Sequence, residues 1–195
     1  MSGLVDLFGD LARHTVRDPQ GAARRLIALD PPMEARWLAL FLVGVLAVFE
    51  TRLALLVMPV SDPAPVFAVV SNPWIGVPAQ CLSLVLVAGG IAWIGGRFGG
   101  VGRFADALLL VVWLEFLLTL VQALQMVLMF LLPPLGTLLA LAAIGLFLWL
   151  MAQFIAALHG FRSLFMVFVG MVAGFILIVT AMAMLLAVFG IAAPV

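Results

Sequence analysis

Apolar residues fall along this chain in five long runs, each followed by a short polar or turn-forming break. A helix needs about 20 mostly apolar residues to cross a hydrocarbon core roughly 30 Å thick. Trp37–Met58, Trp74–Ile94, Phe104–Leu132, Leu135–Leu158 and Leu164–Phe189 all meet that length. The breaks are Pro59–Pro73, Gly95–Arg103, Pro133-Pro134 and His159–Ser163, and each carries Pro or Gly. Connectors this short make successive helices antiparallel neighbours. The pattern predicts an all-α, polytopic integral membrane protein, with a five-transmembrane-helix bundle over residues 36–195.

Residues 1–35 follow another pattern. Leu4, Leu7, Phe8 and Leu11 recur at helical spacing, and Asp6, Asp10, Arg13 and Arg17 take the opposite side. Asp18-Pro19 is a helix start, since Asp caps and Pro suits the first helical position. The helix that follows groups Ala22, Ala23, Leu26 and Ile27 beside Arg24 and Arg25, and Pro31-Pro32 ends it. The expectation is a cytoplasmic amphipathic pair lying in the membrane interface, its arginines among anionic head groups. The competing placement is against the protein's own cytoplasmic side. The segment is too charged for a signal peptide.

Composition strengthens the class. Apolar residues make up 67% of the chain and charged ones 9%, where a soluble domain carries about a quarter charged. Net charge is zero and no basic stripe is interleaved with aromatics, so nucleic acid is not an expected partner. The single cysteine, Cys81, excludes an intrachain disulfide.

All nine basic residues are Arg, and their placement sets the expected orientation. Arg13, Arg17, Arg24, Arg25 and Arg36 precede the first run; Arg97 and Arg103 follow the second, and Arg162 follows the fourth. The alternate connectors, including Ser61, and the C-terminal tail have none. The positive-inside rule then places the N-terminus in the cytoplasm and the C-terminus on the far side, periplasmic in a bacterial inner membrane. Trp37, Trp74, Trp93 and Trp149 sit where interfacial belts form.

Polar residues inside the runs are few. Glu115 lies about 11 residues into the third, near the midplane at roughly 1.5 Å per residue. A carboxyl there must be neutral, paired, or facing protein or water. Thr119 and Gln122 share its face, and Gln125 lies close to it. Glu50 and Arg52 in the first run and Gln80 and Ser83 in the second stand at a depth that could complete a buried cluster. Such a cluster either forms interhelical hydrogen bonds or makes a path for an ion, proton or substrate; the first is the expectation. Ala152 and Ala156 in the fourth run and Gly170 and Gly174 in the fifth predict a close helix approach, with Ala152 level with Gly170.

No constellation for metal, nucleophilic or phosphate chemistry appears: HExxH, CxxC and GxSxG are absent, and GGRFGGVG lacks the Lys-Ser/Thr of a phosphate loop. His159 reads as a loop residue beside Arg162. The glycines read as flexible links whose Arg97 and Arg103, like Arg24, Arg25 and Arg162, meet lipid phosphates or a cytoplasmic partner. Arg103 and Asp106 are spaced to pair as the third run begins.

GGVGRFADALLLVVWLEFLL resembles the third-span region of bacterial Yip domain proteins, through Gly102, Phe104 and the aromatic Trp113. The likeness covers roughly residues 15–190, with Asp18-Pro19 ahead of the first span. Leu117 stands where that family often has Pro. The resemblance implies five spans and a cytoplasmic N-terminal region. Eukaryotic members are associated with Rab-type GTPases and Golgi trafficking, and bacterial ones bring no assigned activity. The reading is therefore a non-enzymatic, cofactor-free membrane protein in a structural, scaffold or accessory role. Its expected partners are membrane lipids and other membrane proteins or a second copy. The alternative is a small transporter or channel using the third-span polar stripe.

Overall fold

The computed structural model describes residues 2–57 and 72–188, without the side chains of 2–5, 7, 177–179, 181–183 and 185–188. Residues 58–71 of the connector after the first run, with Ser61, and the C-terminal tail lie outside the described residues, as do the side chains of Leu4 and Leu7. Seven helices lie among the described residues: α1 Ser2–Arg17, α2 Pro19–Ala28, α3 Met33–Val57, α4 Pro73–Arg97, α5 Phe104–Leu131, α6 Pro133–His159 and α7 Leu164–Val188. No strand occurs among the described residues.

Local chemistry explains the boundaries. The Asp18 carboxylate accepts the Gly21 backbone N–H at 2.9 Å, and Pro19 opens α2. Pro73 and Pro133 open α4 and α6 instead of lying in the breaks, because a first-turn Pro loses no helical hydrogen bond. The Asn72 side chain accepts the Trp74 N–H at 3.0 Å. Gly160, at φ 73°, closes α6 in the left-handed conformation.

Among the described residues, four helices are long and apolar enough to cross a membrane: α3, α4, α5 and α6. The last helix, α7, runs 25 residues over Leu164–Val188 and carries no charged residue. Trp37, Trp74, Trp93 and Trp149 are exposed on the bundle surface, while the fifth tryptophan, Trp113, is buried.

α5 is the axis of the fold. It packs against α2, α3, α4 and α6, and Asp106–Leu114 is buried all round except at Leu109. With Leu40 and Val43 of α3, Leu84 and Ala88 of α4, and Leu150, Phe154 and Leu158 of α6, this stretch forms one core at the arginine-rich end.

The two N-terminal helices complete that core. Leu11, Ala22, Ala23 and Leu26 are buried, and α2 packs on α6 and α5. These four apolar side chains meet protein, the competing placement, while Phe8 stays half exposed. The reason is polar pairing. The Trp113 indole N–H donates to Thr15 Oγ1 at 3.1 Å, and that hydroxyl donates to the Leu11 carbonyl at 2.8 Å. Gln20 donates to Gln153 at 2.7 Å. Phe8, half exposed, stacks on Trp113 with ring centroids 6.0 Å apart and meets Phe116 at 5.9 Å. Trp113→Phe should keep the aromatic contact and lose the indole bond. The expected cost is about 1 kcal/mol, read as a lower melting temperature in detergent and faster proteolysis within residues 1–17.

The approach of α7 to α6 also differs from expectation. Ala152 and Ala156 pack against Val167, whereas open space faces Gly170. Gly174 approaches Ile94 of α4 instead. The small residues of α6 thus receive a branched side chain, not a facing glycine.

Candidate functional site

Three groups of polar residues stand out, two at the arginine-rich end and one inside the apolar region.

The first is a chain of four charges. Arg36, one turn into α3, is 3% exposed and reaches across to Asp106, 7% exposed, at 3.1 Å. Its other terminal nitrogen meets Asp30 at 2.9 Å, and its Nε donates to the Pro31 carbonyl at 2.9 Å. Asp106 also receives Arg103, at 2.8 Å, as their spacing predicts. Asp30 takes the uncommon backbone φ of 38°, tolerated best by Asp, Asn and Gly, and stands between Arg36 and the exposed Arg103. Arg103 is held above the usual arginine range by its hydrogen bond to Asp106 and by the charges of Asp106 and Asp30. Sequence reading had counted Arg36 only as a topology marker. Its partners lie 6 and 70 positions away, and only folding brings them together.

The second group overturns two sequence readings. His159 is no loop residue: it is the last residue of α6 and 4% exposed. Its Nδ1 donates to the Ile155 carbonyl at 3.1 Å, since that oxygen can only accept, and its ring stacks on Phe161 at 5.2 Å. Nε2 is buried without a partner. Gly95, Gly100 and Gly102, around the α4–α5 connection, enclose this ring. A Cβ at Gly95 or Gly100 would collide with the imidazole, and one at Gly102 would stand 2.7 Å from Leu158 Cγ and 2.8 Å from His159 Nε2. They are a close-fitting cradle, not free links. The spacing from Gly95 to Gly102 was visible in the sequence; that a histidine fills it was not.

The exposed arginines at this end divide by neighbour. Arg25 pairs with Asp10 at 3.1 Å, and Arg97 lies over the Trp93 ring at 4.8 Å. Arg24 and Arg162 are exposed.

The third group is intramembrane. Gln80 of α4 donates to Glu115 Oε1 at 2.7 Å, joining two of the expected cluster. Both carboxyl oxygens of Glu50 of α3 are enclosed without a hydrogen-bond partner. Thr119 is spent on its own helix, donating to the Glu115 carbonyl at 2.9 Å. Ser83 likewise donates to the Gln80 carbonyl at 2.8 Å and is exposed. Gln122 and Gln125 do not reach Glu115; they line a groove with Glu50 and Thr51. Arg52 is exposed on α3. Among the described residues, no three His, Cys, Asp or Glu side chains gather as a metal site would require.

Set against known proteins, residues 13–185 match the sequence model of the Yip1 domain. No curated protein and no solved structure matches the chain.

Proposed function

We propose that this chain, which belongs to the Yip1 domain family, acts as a non-enzymatic scaffold or accessory protein of the bacterial inner membrane, with α7 as a fifth span. The N-terminus is cytoplasmic on this reading, and the C-terminus periplasmic. The observation that carries it is how the polar groups inside the bundle are used. Glu115 is bonded across helices to Gln80, and Thr119 and Ser83 are satisfied by their own backbones. These are interhelical and local bonds of a packed bundle, not a relay from one face to the other.

Purification in native lipid tests it. A stoichiometric membrane-protein partner supports the scaffold reading, and a chain that copurifies with lipid alone counts against it. For orientation, a cysteine placed at Ser61 on a Cys81→Ser background should label from outside. Labelling there from the cytoplasmic side alone would reverse the topology.

The transporter reading has one observation of its own, the groove lined by Glu50, Gln122 and Gln125. Glu115 variants separate the two. On the scaffold reading Glu115→Gln leaves stability nearly unchanged, while Glu115→Leu costs about 1 kcal/mol through the lost Gln80 bond. Liposomes holding either variant should show the same proton and cation leak as the native chain. A native flux that Glu115→Gln abolishes without lowering the melting temperature would establish transport instead.

A further inference from the structure

At the arginine-rich end the His159 imidazole touches two separate parts of the chain. On one side it belongs to the end of α6: Nδ1 donates to the Ile155 carbonyl and the ring stacks on Phe161. On the other it meets the α4–α5 connection, where a Cβ at Gly95 or Gly102 would run into Nε2. That connection has a fixed shape of its own. The Phe98 and Gly100 N–H groups both donate to the Gly95 carbonyl, at 3.1 and 3.0 Å. The ring therefore joins α6 to the connection, and on the Nε2 side it does so by contact alone.

With Nδ1 donating, the neutral ring keeps a bare lone pair at Nε2. Its cost is one unmade hydrogen bond. A proton taken up there gives Nε2 an N–H and the ring a positive charge, yet neither donor nor acceptor lies within bonding reach. A buried charge with no partner is far costlier than a bare lone pair. The charged groups on the surrounding elements offer no relief. α4 carries Arg97, the connection Arg103, α2 Arg24 and Arg25, and the turn after α6 Arg162. Neither α7 nor the rest of α6 carries a charged residue. The carboxylates nearby are already engaged: Asp106 with Arg36 and Arg103, Glu115 with Gln80, and Asp18 with its own helix cap. Water can accept the new N–H only where the ring has left the glycines.

We propose that His159 is a proton-operated latch. Neutral, it closes the α4–α5 connection onto the end of α6; protonated, it leaves the cradle and frees that connection. Closure is present at neutral pH and is lost as the pH falls. Arg97, Phe98, Val101 and Arg103 are exposed on the freed segment, so acid on this side rearranges the surface the protein presents there.

Hydrogen exchange on the full chain in detergent tests it, with each rate divided by the chemical rate at the same pH. Protection of the Phe98 and Gly100 amides should fall at least about tenfold between about pH 7.5 and about pH 5.5, within the limit of tenfold per pH unit that one proton sets. Amides of Leu108–Leu114 should keep theirs. His159→Phe retains a ring to stack on Phe161 and takes no proton, so its protection should not change with pH. His14→Gln removes the other histidine and should keep the full response. Constant protection in the native chain overturns the proposal. So does an equal fall over Leu108–Leu114, which is acid unfolding of the whole bundle, a fall that survives in His159→Phe, or one that vanishes in His14→Gln. The unaltered ring decides the matter where His159→Phe does not fold. Its nitrogen resonances should report protonation with the same midpoint as the loss of protection, and midpoints about a full pH unit apart overturn the latch.

Discussion

Gly100→Ala is expected to destabilise the bundle by about 3 kcal/mol, the upper part of the range for overpacking a filled core. A Cβ at Gly100 would stand 2.6 Å from both Cβ and Cγ of His159, and the His159 Cβ is fixed to the α6 backbone, so no rotamer change carries it away. The ring cannot swing aside cheaply either, because Nδ1 is bonded to the Ile155 carbonyl and the face is stacked on Phe161. Gly95→Ala meets the far edge of the same ring and should cost somewhat less. Melting in detergent is the readout, and His159→Ala supplies the control. Alone it leaves a void and destabilises. Combined with Gly95→Ala it should restore much of the loss, a coupling that only neighbours show. Native-like melting of Gly95→Ala would show that the cradle is loose.

Asp106→Ala should cost about 3–5 kcal/mol by leaving the buried Arg36 guanidinium with Asp30, a largely exposed partner. Asp106→Asn keeps an acceptor near Arg36 and should cost less. Replacing the pair together, Arg36→Met with Asp106→Leu, should recover most of the loss, because an apolar pair carries no desolvation penalty. Arg103→Ala removes an exposed charge and should barely move the melting temperature. If the double replacement is as unstable as Asp106→Ala, the network holds α3 to α5 by geometry that apolar side chains cannot replace.

The class of the protein was legible because it depends on composition and run length alone. Four membrane-length helices and the Asp18 cap stand where the pattern puts them. Local rules also account for the displaced boundaries, since a proline that seems to break a helix can begin one. The Arg103–Asp106 pair needed only three residues of spacing.

Tertiary structure decided what depends on distant partners. Arg36 and Asp106 are 70 positions apart, Thr15 and Trp113 are 98, and Gln20 and Gln153 are 133. No periodicity encodes those meetings. The same apolar face of α2 could lie on lipid or on α5 and α6, and the choice fell to the hydrogen bonds that anchor α1 and α2 to the bundle. His159 was misread because a residue beside a glycine and an arginine has the local signature of a loop; its burial comes from a connection some sixty residues earlier. The polar cluster split for a related reason. A helical wheel puts Glu115, Thr119 and Gln122 on one face, but it cannot say where a neighbouring helix ends its contact. Here Gln80 covers Glu115, and Gln122 passes beyond it into the groove. Residue types and spacing therefore settled that the chain enters a membrane, and the packing of helices distant in sequence settled which of its polar groups are paired across the bundle.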